Sequence, residues 1–293
     1  MNNELLFAIV GGLGAMLGWG ISDFFAKKTV DRIGDTVALF WMQALGLIPL
    51  VIFFLLNFDL SNISLNQIPY VVLWGVVDGI GYLMFYKALE KGKVSIVSPI
   101  VASYSAFSVL ISALVFGEQL SSKILLILGL IFAGIMFTAI DFKEVKKDGF
   151  DKKDLVKGVP EALLGVALFS IWFPFWDNFV SGGNWLVLVI LLRAVVTLFL
   201  LGVTKMSKLS IAVKDLQVVK WLVIIGLLDA VAYLTLTWGY GVTSYTSLIS
   251  VLSATFSLPT LLLARIFLKE KLQLSQWGGI ALILLGLALL GVH

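Results

Sequence analysis

The sequence lacks the residues on which much enzyme and metal chemistry depends. Its 293 residues include no cysteine, and its single histidine is the last residue, His293. Without cysteine there are no disulfides, thiolate metal sites or cysteine nucleophiles, and one terminal histidine cannot supply a Ser-His-Asp arrangement within the chain. We therefore expect a protein that is not an enzyme, with no catalytic residues, no metal and no cofactor.

Charge is also scarce. Only 13% of the residues are charged, 60% are hydrophobic, and the mean hydropathy is +1.03. Soluble domains carry about 25% charged residues, so most of this surface must face lipid. The composition predicts an all-α integral membrane protein and gives no sign of a nucleic-acid partner.

Apolar runs of about 20 residues match the thickness of a hydrocarbon core. The sequence contains ten of them, which predicts ten transmembrane helices. The runs cover residues 5–26, 36–56, 68–89, 94–116, 122–140, 158–180, 184–204, 217–239, 243–266 and 274–292.

The basic residues predict the orientation of these helices. Of the 21 lysines and arginines, 19 lie in the linkers that follow odd-numbered runs, Lys123 lies in an even-numbered linker, and Arg193 lies inside the seventh run. Cytoplasmic loops carry an excess of lysine and arginine. We therefore expect both termini outside and the long charged linker 141–157 in the cytoplasm.

The two parts of the chain on either side of this linker resemble each other. Residues 1–140 (the first half) and 158–293 (the second half) each contain five runs, so the second half must enter the membrane inverted. Inverted repeats with a binding site near the midplane are typical of secondary transporters. The matched residues of the third and eighth runs, all at an offset of 151, are Gly75, Asp78 and Tyr82 with Gly226, Asp229 and Tyr233.

Three short segments carry a family resemblance. They are "GWGISDFFAKK" at the end of the first run, "FGEQLS" after the fourth and "LKEKLQ" after the ninth. With them the chain resembles an EamA-type member of the drug/metabolite transporter superfamily. The resemblance covers essentially the whole chain and implies ten helices in two inverted five-helix repeats, but it specifies no substrate.

Three charged residues lie near mid-membrane: Asp78, Arg193 and Asp229. Each ionised group there costs about 2.5–3.5 kcal/mol on insertion scales, and such residues normally face a bundle interior or a wet cavity. One alternative is that Arg193 and an aspartate form a structural pair, and Asp229 is our choice for that pair. The remaining aspartate must then be protonated, bind a cation or face water.

The residues around the two aspartates predict a cavity. Tyr82 and Tyr233 each follow an aspartate by four residues, which places acid and phenol on one helix face. Trp74 and Phe85 recur near Asp78 at helical spacing. Aromatic walls with carboxylates suit cationic groups, although aromatic residues are common in membrane helices without any such role.

Two further acids lie near the ends of runs and close to tryptophans. Asp23 follows Trp19, and Asp177 follows Trp172. They are candidates for a cavity mouth or gate. Solvation at the membrane interface is the simpler interpretation, and we favour it for both acids.

Helix ends and breaks have their own residues. Glu118 and Glu270 close the fourth and ninth runs, where we expect them to cap helices or pair with lysines. Pro99, Pro174 and Pro259 lie within runs, where proline removes a backbone hydrogen bond and permits a kink.

Together these features predict a secondary transporter of the cell membrane. The expected partners are the lipid bilayer and a small polar substrate, cationic or zwitterionic, with Arg193 available for the carboxylate of a zwitterion; protons are a candidate coupling ion. A lipid-handling or scaffolding protein is the alternative, and an intramembrane aspartyl protease is disfavoured because "GVVDG" and "GLLDA" lack its Gly-x-Gly-Asp context. Substrate identity, direction and the choice between monomer and homodimer stay open.

Overall fold

The computed structural model describes residues 3–59, 64–116, 122–139, 156–180, 184–242, 249, 252–253 and 255–290. Every regular element within these residues is helical. A 3-10 turn, Leu65–Gln67, precedes the third helix, and a π-helical turn, Ala264–Leu268, follows the tenth. The helices are α1 Asn3–Ile33, α2 Asp35–Leu56, α3 Ile68–Lys91, α4 Val94–Ala102, α5 Tyr104–Phe116, α6 Ser122–Ala139, α7 Val159–Val180, α8 Trp185–Met206, α9 Leu216–Val242, α10 Ser257–Leu263 and α11 Leu274–Leu290.

Six segments among the described residues are long and apolar enough to cross a membrane. They lie in α1, α2, α3 (with the 3-10 turn that precedes it), α7, α8 and α9. Apolar side chains cover their outer faces, as at Leu55 and Leu198, which are 64% and 67% exposed. The prediction of a multi-pass, all-helical membrane protein is therefore confirmed.

Four shorter apolar helices coincide with the remaining predicted runs. They are Val94–Ser108, Leu125–Thr138, Ser257–Leu268 and Leu274–Leu289. The start of the ninth run, 243–248, lies outside the described residues. The arrangement as ten spanning helices in two repeats stays a prediction.

The fourth predicted run is not one continuous helix. It breaks at Ser103, between α4 and α5. The Ser103 amide donates to the carbonyl of Ile100 at 3.1 Å, and the Ser103 hydroxyl donates to the same oxygen at 2.5 Å. Serine competes in this way for nearby backbone groups, and Pro99 lies one turn earlier. The hydrophobic pattern alone does not report such a local break.

The first helix runs seven residues beyond its predicted end. Lys27 and Lys28 do not stop it, because Lys27 pairs with Asp31 one turn later, at 2.8 Å, and Lys28 lies 4.6 Å from the ring centre of Trp221. Gly34 then separates α1 from α2 with φ of +79°, a conformation that only glycine adopts readily.

The contacts between helices of the first and second halves come in corresponding pairs. α1 packs along α9, and α3 packs along α7; α2 contacts α9, and α8 contacts α3; α6 packs along α11. Exchanging the two halves would turn each contact into its counterpart. For example, the first helix of each half packs on the third transmembrane helix of the other half.

The crossing of α2 and α9 depends on two glycines. A Cβ atom on Gly226 would lie 2.9 Å from the Gly46 nitrogen and 3.0 Å from the Leu45 carbonyl carbon. Real Cβ atoms essentially never come this close to backbone. The two helices therefore touch backbone to backbone at this point.

Gly226→Ala should therefore force α2 and α9 apart and lower thermal stability, by an amount typical of overpacking, about 1–3 kcal/mol. Gly202→Ala on α8 is the matched control, because a Cβ there meets nothing within 4 Å. Melting of both purified variants in detergent measures the difference. Equal melting of the Gly226→Ala variant and the wild type would contradict the close crossing.

Candidate functional site

A buried ion pair lies at the centre of the helix bundle. The Arg193 guanidinium on α8 donates from Nη2 to Oδ2 of Asp229 on α9, and the two residues are 3% and 1% exposed. Arg193 Nη1 donates to Gln43 Oε1 on α2 at 3.3 Å, and the guanidinium carbon lies 4.9 Å from the ring centre of Tyr233. The predicted pairing of Arg193 with Asp229 is confirmed.

Asp78 on α3 is the acid that this pair leaves over. It is 4% exposed, and its Oδ1 atom has no hydrogen-bond partner among the described residues. A buried polar group without a partner is costly, and rare enough in folded proteins that each instance calls for an explanation. Asp78 lines the cavity described next.

Asp78 and Asp229 line a cavity of roughly 570 Å³, a volume that includes space open to the outside. Helices of both halves contribute to it: α1 to α5 from the first, α7 and α9 from the second, with Phe256 just before α10. Most of the lining is aromatic. Its described residues are Trp19, Ser22, Asp23, Met42, Asp78, Tyr82, Phe85, Tyr86, Val101, Tyr104, Phe169, Phe173, Asp229, Tyr233 and Phe256.

The two Asp-x-x-x-Tyr pairs meet in this cavity. Tyr82 and Tyr233 both line it. Trp19 packs edge-on against Tyr233, with ring centres 5.6 Å apart and planes at 87°. The structure thus brings together the central aspartates, their tyrosines and Trp19, with Arg193 held behind them by Asp229.

Asp23 differs from its predicted environment. We expected solvation at the interface, but Asp23 is only 8% exposed and lines the cavity. Its Oδ2 atom accepts a hydrogen bond from the Ser98 hydroxyl on α4 at 3.0 Å. The interfacial interpretation of Asp23 is therefore wrong, because a partner 75 residues away in sequence makes a buried position possible.

The other candidate gate residues divide between the cavity and its surroundings. Phe85 lines the cavity, whereas Trp74 and Trp172 are absent from its described lining. Trp172 Nε1 donates to the Trp74 carbonyl at 2.9 Å, and the Trp172 ring stacks on Trp176 with centres 5.5 Å apart. Trp172 is 1% exposed, so its role here is packing of α7 on α3. Asp177 belongs to α7, but its side chain lies outside the described part of the chain.

Several lining residues were not predicted. Tyr104 on α5 stacks on Phe173 of α7, with ring centres 4.3 Å apart and planes at 12°, and Phe169 packs edge-on against Tyr82 at 5.2 Å. Their positions depend on the contacts of α7 with α3 and α5. Tyr86 could have been found, since it follows Tyr82 by one turn on the same helix.

Glu270 caps a helix of the other half, as predicted. Its two carboxylate oxygens accept from the backbone amides of Val94 and Ser95 at 3.2 and 3.1 Å, and from the Ser95 hydroxyl. These amides are the free donors at the start of α4, where an acid is favourable. Lys93 adds a bond to the Lys271 carbonyl at 2.6 Å. Glu118 lies outside the described residues.

Further contacts join the helix ends that carry the basic linkers. Lys91 pairs with Glu161 at 2.5 Å, and Arg32 pairs with Asp215 at 2.7 Å. The backbone amide of Gln217, followed by Arg32, holds the pKa of Asp215 below its usual value. On this side of the bundle, these bonds join helix ends of the two halves.

The described residues contain no group of three or more acids or histidines that could hold a metal ion. The site contains the buried acid Asp78 and the two Asp-x-x-x-Tyr pairs, with aromatic residues around them. Such groups can bind a cation or exchange a proton.

Comparisons with known proteins agree with this architecture. The model of the EamA-like transporter family matches residues 6–140 and 156–292. An uncharacterized protein of Methanocaldococcus jannaschii is 29% identical over 136 residues, which is 45% of this chain and 96% of that protein. A solved crystal structure superposes with a TM-score of 0.67 at 16% identity, covering 97% of this chain and 96% of the other. That likeness concerns the fold alone.

Proposed function

The chain belongs to the EamA-like transporter family, and from that premise we propose that it is a secondary transporter of a small polar metabolite, cationic or zwitterionic. The substrate occupies the central cavity and reaches either side by alternating access. Asp78 contacts the cationic group or carries an exchangeable proton, and the Arg193–Asp229 pair holds the cavity wall. Tyr82 and Tyr233 contribute to binding.

One observation carries this proposal. Asp78 lines an aromatic cavity between the two halves, and its Oδ1 atom has no hydrogen-bond partner among the described residues. A buried ionisable residue in a membrane-spanning helix is costly and typically marks a substrate or ion path. Small-molecule sites are mostly apolar, with a few polar groups that converge. A lipid-handling or scaffolding protein needs no such group, and no observation favours that alternative.

The repeat arrangement supports alternating access. The family matches two segments of similar length, and the contacts between helices recur when the halves are exchanged. In inverted-repeat transporters one repeat rocks against the other around a fixed site. In our proposal the units are residues 1–140 and 158–293, joined by the cytoplasmic linker 141–157, in the plasma membrane with both termini outside.

Flux through liposomes containing the purified protein tests the proposal. We expect at least one small amine or zwitterion from a panel to cross faster than through protein-free liposomes. If Asp78 exchanges a proton, an imposed pH gradient should drive that flux, because one proton then moves for each substrate. A panel in which every compound crosses at the protein-free rate would contradict the transport function.

A further inference from the structure

Two buried polar atoms in the cavity lining have no partner within the described part of the chain. One is the acceptor Asp78 Oδ1, and the other is the indole donor Trp19 Nε1. Indole nitrogen can only donate, and an ionised carboxylate can only accept. Both residues line the cavity, so an occupant of the cavity is the candidate partner for this acceptor and this donor.

Trp19 is held with its ring against the same wall. It packs edge-on against Tyr233 at 5.6 Å and against Phe256 at 6.2 Å between ring centres. Buried tryptophans usually find a hydrogen-bond partner for the indole N–H. A ligand with an acceptor at this place would supply it.

Arg193 is not free to receive a carboxylate. Its guanidinium is bonded to Asp229 and Gln43, it is 3% exposed, and it is not among the described lining residues. Among those lining residues there are three aspartates and no lysine or arginine. A substrate carboxylate would therefore enter a cavity whose described lining has acids and no unpaired cation. This arrangement disfavours binding of a zwitterion.

We propose that the substrate is an organic monocation that also carries an uncharged hydrogen-bond acceptor. Its ammonium group binds Asp78, and its carbonyl, ether or hydroxyl oxygen accepts from Trp19 Nε1. The aromatic lining, including Tyr82 and Phe173, surrounds the apolar part of the molecule and attracts its charge. This inference rests on the proposed transport function and narrows its substrate class.

Three matched compounds test it: 4-(aminomethyl)benzamide, 4-methylbenzylamine and 4-(aminomethyl)benzoate, together with their meta isomers. All carry the same ammonium group and ring; the first adds a neutral carboxamide with a carbonyl acceptor and two N–H donors, the second has neither, and the third is a zwitterion. Binding to the purified protein is measured by thermal shift and by competition with a transported compound. We expect the benzamide to bind about 3- to 10-fold more tightly than the methyl compound, the range for one hydrogen bond, and the benzoate to bind most weakly.

Trp19→Phe separates the two contacts, because it keeps a ring but removes the N–H. We expect it to abolish the preference for the benzamide over 4-methylbenzylamine, so that the two amines bind this variant with similar affinity. If this variant does not fold, the ranking of the three compounds on the wild type decides alone.

Three results would overturn the inference: benzoate binding as tight as that of the benzamide, equal binding of benzamide and methyl compound, or equal loss of all ligands in Trp19→Phe. The second result would mean that water satisfies the indole. Each leaves the transport function intact if another compound crosses the liposomes, whereas absence of flux for every compound defeats the function itself.

Discussion

Asp78→Asn is expected to abolish coupled flux and leave the protein folded. Asparagine has the shape of aspartate, and Asp78 Oδ1 has no hydrogen bond to lose among the described residues. The amide carries no negative charge and cannot exchange a proton. Bonds to charged groups contribute about 1.5–3 kcal/mol, so binding of a cationic substrate should weaken by roughly 10- to 100-fold.

Flux of one transported compound, with and without a pH gradient, measures this loss. Asp31→Asn is the control, because Asp31 is an exposed acid whose pairing with Lys27 lies outside the cavity; it should transport as the wild type does. Detergent melting checks that both variants are folded. Full, gradient-driven flux in the Asp78→Asn variant would leave this acid without a transport role.

Arg193→Ala should have the largest effect on stability. It leaves the Asp229 carboxylate, which is 1% exposed, without its cation, and it removes the donor to Gln43. Loss of one partner from a buried ion pair costs about 3–5 kcal/mol. We expect a low yield of monodisperse protein and early melting in detergent, with Arg193→Lys only partly better because it lacks the planar fork.

A double variant tests whether the loss of stability in Arg193→Ala comes from the buried carboxylate that it leaves unpaired. Arg193→Met with Asp229→Leu removes both charges and fills their volume with apolar groups, a change that is often neutral for stability. We expect the double variant to melt well above Arg193→Ala, and below the wild type because Gln43 still loses its donor. Wild-type melting of the single Arg193→Ala variant would show that the ion pair does not hold α8 to α9.

The sequence predicts those residues of the site that are energetically unfavourable in a membrane. A charged side chain within an apolar run is unfavourable, so Asp78, Arg193 and Asp229 can be identified from the sequence alone. Two acids and one base also require that one acid is unpaired. The same reasoning gives the multi-pass helical fold. Four-residue spacing places Tyr82 and Tyr233 beside the acids.

What the sequence does not predict depends on contacts between distant elements. Asp23 has the local context of an interfacial acid, and only the Ser98 hydroxyl on α4 shows that it is buried. Tyr104 and Phe173 are ordinary membrane aromatics until α5 and α7 pack together. The break at Ser103 depends on a side-chain bond to its own backbone, which hydrophobic periodicity cannot report.

The hydrogen bond from Arg193 to Gln43 has a consequence for how the two halves diverged. These residues are 150 positions apart, one fewer than Asp78 and Asp229. At the offset of 151 that relates the two aspartates, Arg193 corresponds to Met42, the neighbour of Gln43. A chain of two identical halves would hold two arginines with two aspartates, and each acid would be neutralised. Helix α2 contains no arginine or lysine, and this difference between the halves, with both acids kept, leaves Asp78 available for a ligand.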